Sequence, residues 1–364
     1  MRKNILHISP NFNIACGVSK HVYNILTSKK MDEEFNLYFV TNGGDALTKL
    51  DRANINYNIM NFTKDKLLHI DLFKNLKWLK AFCREKKINI IHSHHRYPEL
   101  LANLIKKFIP CKTVITAHNF VYGMKNISYK SDCIVAVSHS VKNHLVNYFG
   151  LPQKKINVLY NCLNSNISAV TDMEELKKKL SLPNSQRIFL YIGRLSEEKG
   201  IDILIDSIDT LYQKNPNWLL IIVGSSFLEL DIQKFNLNKP YIRVFHSVEG
   251  IECFYKIANL VILPSKTEGL GYTMLEAGLN KIPFIGSRAG GIAEFIEDGI
   301  NGFLFEPGNS TDLADKINYL LNNPDIAKRS AERLNEKVLR LCNCENYFIK
   351  LSEIYDSLLT TNVI

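Results

Sequence analysis

Short apolar runs alternate with longer amphipathic ones from the first residues onward. NILHIS is followed by a helix-like SKHVYNILTSKK, then FNLYFVT, INYNIM and a helical FKNLKWLKAFCREKK. INIIHSHH, a helical ELLANLIKKF, KTVITAH, DCIVAVS and a helical SVKNHLVNYF complete this first series. The order restarts with RIFLYIGRL, a helical IDILIDSIDTLYQK, WLLIIVGS, YIRVFHS, a helical IECFYKIA, NLVILPS, MLEAGLN, KIPFIGS and NGFLFEPG. Repeated β-α order predicts parallel sheets with helices on both faces. A chain of 364 residues exceeds the size at which one core keeps growing, so two similar α/β domains are expected. The polar stretch NCLNSNISAVTDMEELKKKLSLPNSQ, residues 161–186, reads as the linker. The chain shows no repeat of solenoid period and no low-complexity tract.

Charge divides the same way. Residues 1–165 hold 24 Lys and Arg against 10 Asp and Glu, a balance of +14, while the remainder carries −5 of the overall +9. Such a basic half attracts nucleic acid, an anionic leaflet or a phosphorylated substrate, or is a solvated face with no partner. No recognised reading motif accompanies it, so a nucleic-acid partner is not expected. FKNLKWLKAFCREKK and ANLIKKFIPCK mix basic with apolar residues, which suits either an anionic membrane surface or ordinary packing on a sheet. No apolar run is long enough for a membrane span, and Met1-Arg2-Lys3 leads straight into ILHISP, so a soluble cytoplasmic chain is expected. The eight cysteines lie scattered without CxxC pairs, which suggests neither a zinc site nor a disulfide framework.

Ligands of open parallel sheets settle beyond the carboxyl ends of strands, so chemistry is sought just after the apolar runs. After RIFLYIG comes Arg194-Leu-Ser-Glu-Glu-Lys199-Gly200, with two cations on one loop. Fixed cations suit a diphosphate and the charge thrown onto it when a sugar-phosphate bond breaks; exposed loop charges are the plainer reading. After NLVILPS comes Glu268-Gly269-Leu270-Gly271-Tyr272, followed by a helix containing Glu276. The two glycines allow close backbone approach, and the NH groups from Gly269 to Tyr272 at a helix start favour anionic oxygens. A carboxylate accepts two hydrogen bonds side by side, which matches vicinal hydroxyls, so Glu276 fits a ribose and Glu268 a transferred sugar. The alternative is a helix-capping glutamate beside a surface one.

These stretches resemble family-4 retaining glycosyltransferases of the two-Rossmann-domain type called GT-B. The likeness runs through Cys16-Gly17-Val18-Ser19, IGRLSEEKGID, LLIIVG, the two glutamates eight apart, SRAGGIAEFIEDGINGFLFEPG and a closing helix from Tyr347 through Tyr355. It implies a doubly wound α/β architecture in which two Rossmann-like domains face each other across a cleft. The boundaries are then an acceptor-binding domain at 1–165, a nucleotide-sugar domain at 166–345, and a helix at 346–364 returning to the first domain. By motif match, Arg194 and Lys199 hold the donor diphosphate, Glu276 the ribose and Glu268 the donor sugar. Gly17 and Gly224 join Gly269, Leu270, Gly271 and Tyr272 in the donor set. The implied reaction moves a hexose-type sugar from a UDP- or GDP-sugar to an acceptor hydroxyl with retention. A lipid-linked saccharide acceptor at the inner membrane face is expected, in assembly of a bacterial surface polysaccharide such as capsule or lipopolysaccharide.

The chain departs from the family pattern at Cys16-Gly17, where Gly-Gly is usual, at Asn161-Cys162-Leu163-Asn164, and at Gly224-Ser225-Ser226. His118 ends KTVITAH where the family has a cleft histidine, able to bond a sugar hydroxyl or the acceptor, or serving structure alone. His92 and His94 share a strand face and His95 points to the other, so a metal cluster is not expected there. No Asp-x-Asp occurs, in keeping with catalysis without a bound metal and with no cofactor beyond the donor. A nucleotide sugar epimerase on the same scaffold and a non-catalytic nucleotide-sugar-binding subunit are the rivals. A nicotinamide dehydrogenase is disfavoured, because neither first strand is followed by GxGxxG.

Overall fold

The computed structural model describes residues 2–14, 16–62, 68–163, 177–178, 180, 182, 186–214, 216–224, 229–246 and 250–360. The linker expected at 161–186 lies largely outside these residues. The chain divides into two units, residues 1–162 with 344–364 and residues 163–343, where the sequence reading put its cuts at 165 and 345.

In the first unit the apolar runs become seven strands: β1 (Lys3–Ile8), β2 (Phe35–Thr41), β3 (Tyr57–Ile59), β4 (Ile90–Ser93), β5 (Lys112–Ala117), β6 (Cys133–Ala136) and β7 (Ile156–Val158). They pair in the order β3-β2-β1-β4-β5-β6-β7, and every pair is parallel. The order reverses between β1 and β4, which is the switch point of a doubly wound sheet. The sheet buries both faces. Leu6, Ile8, Val40 and Ile91 pack with Leu79, Leu101 and Ile105 on one side. Ile5, Ile90, Val114 and Val135 pack on the other against the C-terminal helix Cys344–Thr360, through Tyr347, Phe348, Leu351 and Tyr355. Those four helical positions form one apolar stripe, the pattern expected of a helix laid on a sheet.

Two local details differ from the sequence reading. SKHVYNILTSKK is two helices, Gly17–Leu26 and Lys29–Glu34. The Thr27 hydroxyl donates back to Tyr23 O at 2.8 Å, and Ser28 Oγ accepts from Met31 N at 3.3 Å. Ser and Thr side chains that bond nearby backbone favour helix ends over interiors, so the break is local chemistry. A short strand, β7, also appears within QKKINV, which the apolar pattern did not single out.

In the second unit, β8 (Arg187–Ile192), β9 (Trp218–Gly224), β10 (Ile242–His246), β11 (Leu260–Leu263), β12 (Phe284–Ser287) and β13 (Phe303–Phe305) pair in the order β10-β9-β8-β11-β12-β13, all parallel. The switch point falls between β8 and β11, which pair through Leu260↔Phe189 and Val261↔Leu190. The helix Ile201–Lys214 buries Leu204, Ile208 and Leu211 against Phe189, Leu220 and Ile222. Both units are therefore Rossmann-like, as the sequence implied.

One buried carboxylate organises the segment that follows β5. Glu99, in the first turn of the helix Arg96–Ile105, is fully buried. It accepts from Tyr129 N at 2.7 Å, from Ser131 N at 3.0 Å and from the Ser131 hydroxyl at 2.9 Å. Burial pushes its pKa up, and the hydrogen bonds oppose that shift. Replacing Glu99 with Ala strands two backbone donors and should cost about 3 kcal/mol of stability, measured by denaturant titration. The Tyr129 and Ser131 amides should lose their hydrogen-exchange protection in the same variant; unchanged protection would refute this role.

Candidate active site

The strongest concentration of charged and glycine positions lies at the switch point of the second unit. Residues after β8 turn through a short 3-10 helix, Glu197–Lys199, to Gly200. Gly200 has φ +69°, and a Cβ there would collide with the Pro264 carbonyl after β11, so only glycine lets the two loops meet. Lys266 N donates to Glu198 O at 2.9 Å and ties the same loops by backbone. Within this frame Lys199 Nζ reaches Glu268 Oε2 at 2.8 Å, with side chains only 16% and 12% exposed. Ser265 Oγ donates to the same carboxylate oxygen at 3.1 Å.

Gly269 and Leu270 are buried, and Gly271 caps the helix Tyr272–Leu279 with an extended backbone and no side-chain cap. The loop after β12 closes on them from the other side. Gly291 N donates to Glu268 O at 2.8 Å, and a Cβ on Gly291 would overlap the Gly269 carbonyl. Thr273 Oγ1 donates to Ile192 O at 3.2 Å, anchoring the helix start to the end of β8. Glu276 lies farther along this helix, where the buried Tyr255 hydroxyl donates to Glu276 Oε2 at 2.5 Å. Glu268 is thus held by Lys199 and Ser265, and Glu276 by the Tyr255 hydroxyl. A carboxylate so held keeps acceptor capacity for ligand hydroxyls.

Arg194 stands apart from that pair. It is 60% exposed and lies 3.6 Å from Glu198, an ordinary surface pairing. Gly224 ends β9 opposite His246 of β10, and Ser225 and Ser226 lie outside the described residues. Gly17 and His118 belong to the first unit. Gly17 opens the helix Gly17–Leu26, one turn before His21, and the His21 ring centroid is 4.7 Å from that of His118. Sequence reasoning missed Tyr255, Ser265, Gly200 and Gly291 as parts of the second-unit site. Gly200 and Gly291 carried a signal, each sitting where a strand-end loop enters a helix.

The first unit's switch point holds something the sequence reading did not assemble. His7 and His92 are register partners on β1 and β4 and so share a sheet face. His94 follows at the end of β4, its ring stacked on His92 with centroids 4.6 Å apart. His7 Nδ1 is 3.1 Å from His94 Nε2, and His94 Nδ1 is 3.2 Å from His118 Nε2. His92 is held at Nδ1 by the Tyr355 hydroxyl at 2.6 Å and at Nε2 by Thr116 Oγ1 at 2.7 Å. His21 is held by Asn161 Oδ1 at 3.2 Å and by the Tyr347 hydroxyl at 3.1 Å. Asn161 belongs to one of the sequence's departures from the family pattern.

Two trios, His7 with His92 and His94, and His21 with His94 and His118, bring nitrogens within 4.8 Å of one another. Those nitrogens could in principle take a metal, but both ring nitrogens of His92 and of His21 already have hydrogen-bond partners. His95, the residue before the helix Arg96–Ile105, is outside these trios. The expected face-sharing of His92 and His94 agrees with this arrangement.

Two Rossmann-like units are the architecture of the GT-B fold. Comparison with known proteins places the chain within that class. Two family models match, Glycosyltransferase Family 4 over residues 16–166 and Glycosyl transferases group 1 over residues 172–338. N-acetyl-alpha-D-glucosaminyl L-malate synthase of Bacillus anthracis is 27% identical over 288 residues, covering 75% of each chain. The capsular polysaccharide biosynthesis glycosyltransferase CapM of Staphylococcus aureus is 25% identical over 356 residues, 92% of each chain. The fold is similar to that of Anabaena HepE in complex with UDP-glucose, with a TM-score of 0.84 at 19% identity over 97% of this chain and 99% of that one. The chain belongs to the family-4, group 1 glycosyltransferases.

The buried histidines make the first unit acid-sensitive. Burial, helped by repulsion from His21, lowers the His7 pKa to about 3, and burial lowers that of His21 to about 4. His92, His94 and His118 are held well below the ordinary 6.5, chiefly by burial and then by neighbouring histidines, His21 among them in each case. A depressed folded pKa means that the unfolded chain takes up protons first as pH falls. Stability is therefore full above about pH 6.5 and is lost towards pH 4. Each such histidine should remove about 1.4 kcal/mol per pH unit in that window. Melting followed by Trp78 fluorescence in a Trp218→Phe variant checks this, since these are the only two tryptophans. A transition that does not move between pH 7 and 5 would contradict it.

Proposed function

We propose that this glycosyltransferase moves a hexose-type sugar from a UDP- or GDP-sugar to a hydroxyl of a lipid-linked saccharide, with retention and without a bound metal. The observation that carries this reading is the half-buried Lys199–Glu268 pair at the β8/β11 switch point, eight residues from the Tyr255-braced Glu276. Glu276 takes the ribose hydroxyls and Glu268 the hydroxyls of the transferred sugar. Lys199 has three donors, so it can keep Glu268 and still bond a diphosphate oxygen, while the exposed Arg194 swings onto the diphosphate. The anomeric C–O bond then breaks with its electron pair going to the diphosphate. The acceptor oxygen bonds to the anomeric carbon on the same face, and its proton passes to the departing phosphate oxygen. Lys199 and Arg194 carry the developing charge that a metal would otherwise carry. Gly17, Gly224 and the NH groups from Gly269 to Tyr272 complete the donor grip, and His118 serves the reacting hydroxyls.

The relatives support donor and setting. HepE was crystallised with UDP-glucose, and CapM is named for capsular polysaccharide. Surface composition supports a lipid-linked acceptor at the inner face of the cytoplasmic membrane. Phe73 and Phe108 are 72% and 63% exposed, with Lys80 Nζ 4.5 Å from the Phe108 ring centroid and Lys74 and Lys77 exposed on the helix that carries Phe73. No helix among the described residues is long and apolar enough to cross a membrane, so contact would be peripheral.

Lys199→Ala should lower sugar transfer by about 100- to 1,000-fold, with donor hydrolysis falling alongside. Undiminished turnover would sink the assignment, and NMR of a donor incubated alone, showing epimerisation, would favour the rival enzyme. For the membrane setting, sedimentation with vesicles containing a third anionic lipid should exceed that with zwitterionic vesicles, and a Phe73→Ser, Phe108→Ser double variant should bind less. Equal sedimentation with both vesicle types would remove the basis for that setting.

A further inference from the structure

The histidine row of the first unit is more than a packed core. Three of its rings are joined end to end: His7 Nδ1 to His94 Nε2, and His94 Nδ1 to His118 Nε2. His7 and His94 are buried, and His118 is half-buried at the end of β5. His118 Nδ1 makes no hydrogen bond to a described residue, and His7 Nε2 is buried without a partner among them. All three rings are neutral near pH 7, because burial disfavours their charged forms.

A neutral imidazole has one N–H and one bare nitrogen, and each link needs one of each. If His94 carries its proton on Nδ1, it donates to His118 Nε2 and accepts from His7 Nδ1–H. His118 is then protonated at Nδ1 as well. If His94 carries it on Nε2, all three rings are protonated at Nε2. The links therefore force one shared tautomer. The second arrangement leaves the His7 Nε2–H buried with no acceptor, and orphaned buried N–H groups are rare. The first leaves only a bare nitrogen there and gives the half-buried His118 an Nδ1–H that no described residue accepts.

We propose that His7 and His94 are positioning residues that lock His118 as the Nδ1–H tautomer, making it a hydrogen-bond donor to the oxygen of a reacting hydroxyl. A donor holds that hydroxyl by its oxygen and leaves its proton for the departing phosphate, so the inference rests on the transfer mechanism proposed above. The neighbouring rings keep their own partners and set the row's walls. His21, edge-on to His118, is fixed by Asn161 and Tyr347, and His92, stacked on His94, by Thr116 and Tyr355.

The test uses the full chain labelled with 15N-histidine, because two-bond 1H–15N correlations distinguish the tautomers. His7, His94 and His118 should all show Nδ1–H at pH 7.5. A mixed set would end the chain argument, and a shared Nε2–H form would overturn the donor role. His94→Phe should release His118 to a tautomer mixture and lower kcat at least about tenfold, with donor KM changed less than twofold. His94→Asn, whose amide N–H can reach His118 Nε2, should recover most of that loss. A folded His94→Phe enzyme with full kcat would refute positioning. His118→Ala separates the two levels: if it retains full transfer, the role of His118 in the proposed function fails. If it is inactive while His94→Phe is fully active, only the positioning fails.

Discussion

A parallel sheet brings every strand to the same edge, and that constraint governs both units. Each strand must hand its chain to a helix at the carboxyl edge, so loops and helix starts collect there, and they separate only where the strand order reverses. In the second unit the reversal lies between β8 and β11, and Lys199 and Glu268 come from those two strand ends. In the first it lies between β1 and β4, and His7, His92 and His94 come from those. These two polar concentrations sit at equivalent points of two similar sheets. One is built of charges and glycines and the other of neutral imidazoles.

That difference follows from how each site manages desolvation. Burying an unpaired charge is costly, so the second unit's switch point half-buries Lys199 and Glu268 as a pair and keeps Arg194 near water. Its backbone is brought close by removing side chains. Cβ atoms at Gly200 and Gly291 would strike carbonyls of the neighbouring loops, so the convergence of three strand ends depends on those positions. The first unit's switch point buries its histidines deeper and keeps them uncharged. Its histidines are linked to one another or capped by hydroxyls and an amide, two of those hydroxyls, Tyr347 and Tyr355, arriving from the C-terminal helix. That helix therefore completes the histidine row as well as the apolar core of Ile5, Ile90 and Val114.

What the sequence disclosed was what lies close along the chain. The β-α alternation gave both sheets. The glycines and glutamates from Glu268 to Glu276 gave the helix start and the two carboxylates, because those signals act within one loop. Partners from distant elements were invisible in it. Tyr255 lies 21 residues from Glu276, and no local pattern marks its hydroxyl as a carboxylate brace. His7 and His21 looked like single residues in apolar stretches, and only the β1/β4 register and the placement of the Gly17–Leu26 helix unite them with His92, His94 and His118. The same holds for Glu99, whose partners at Tyr129 and Ser131 are 30 and 32 residues away. Arg194 shows the opposite limit. Its spacing from Lys199 suggested a pair, yet the exposed side chain pairs with Glu198.

The contrast between the two switch points bears on how the proposed transfer would divide its work. A diphosphate carries formal charge in every state of the reaction, so fixed cations suit it before and after bond cleavage. A hydroxyl carries none until it begins to lose its proton. A cation beside it would favour early ionisation, and a carboxylate would compete with the phosphate for that proton. A neutral imidazole that offers its N–H does neither, and burial is what keeps the imidazole neutral near pH 7. The acid sensitivity that burial imposes on the first unit is then the cost of holding a hydroxyl without charging it. On this argument the depth of the histidine row and the exposure of Arg194 answer to one requirement: each group is solvated only as far as the charge of its ligand demands.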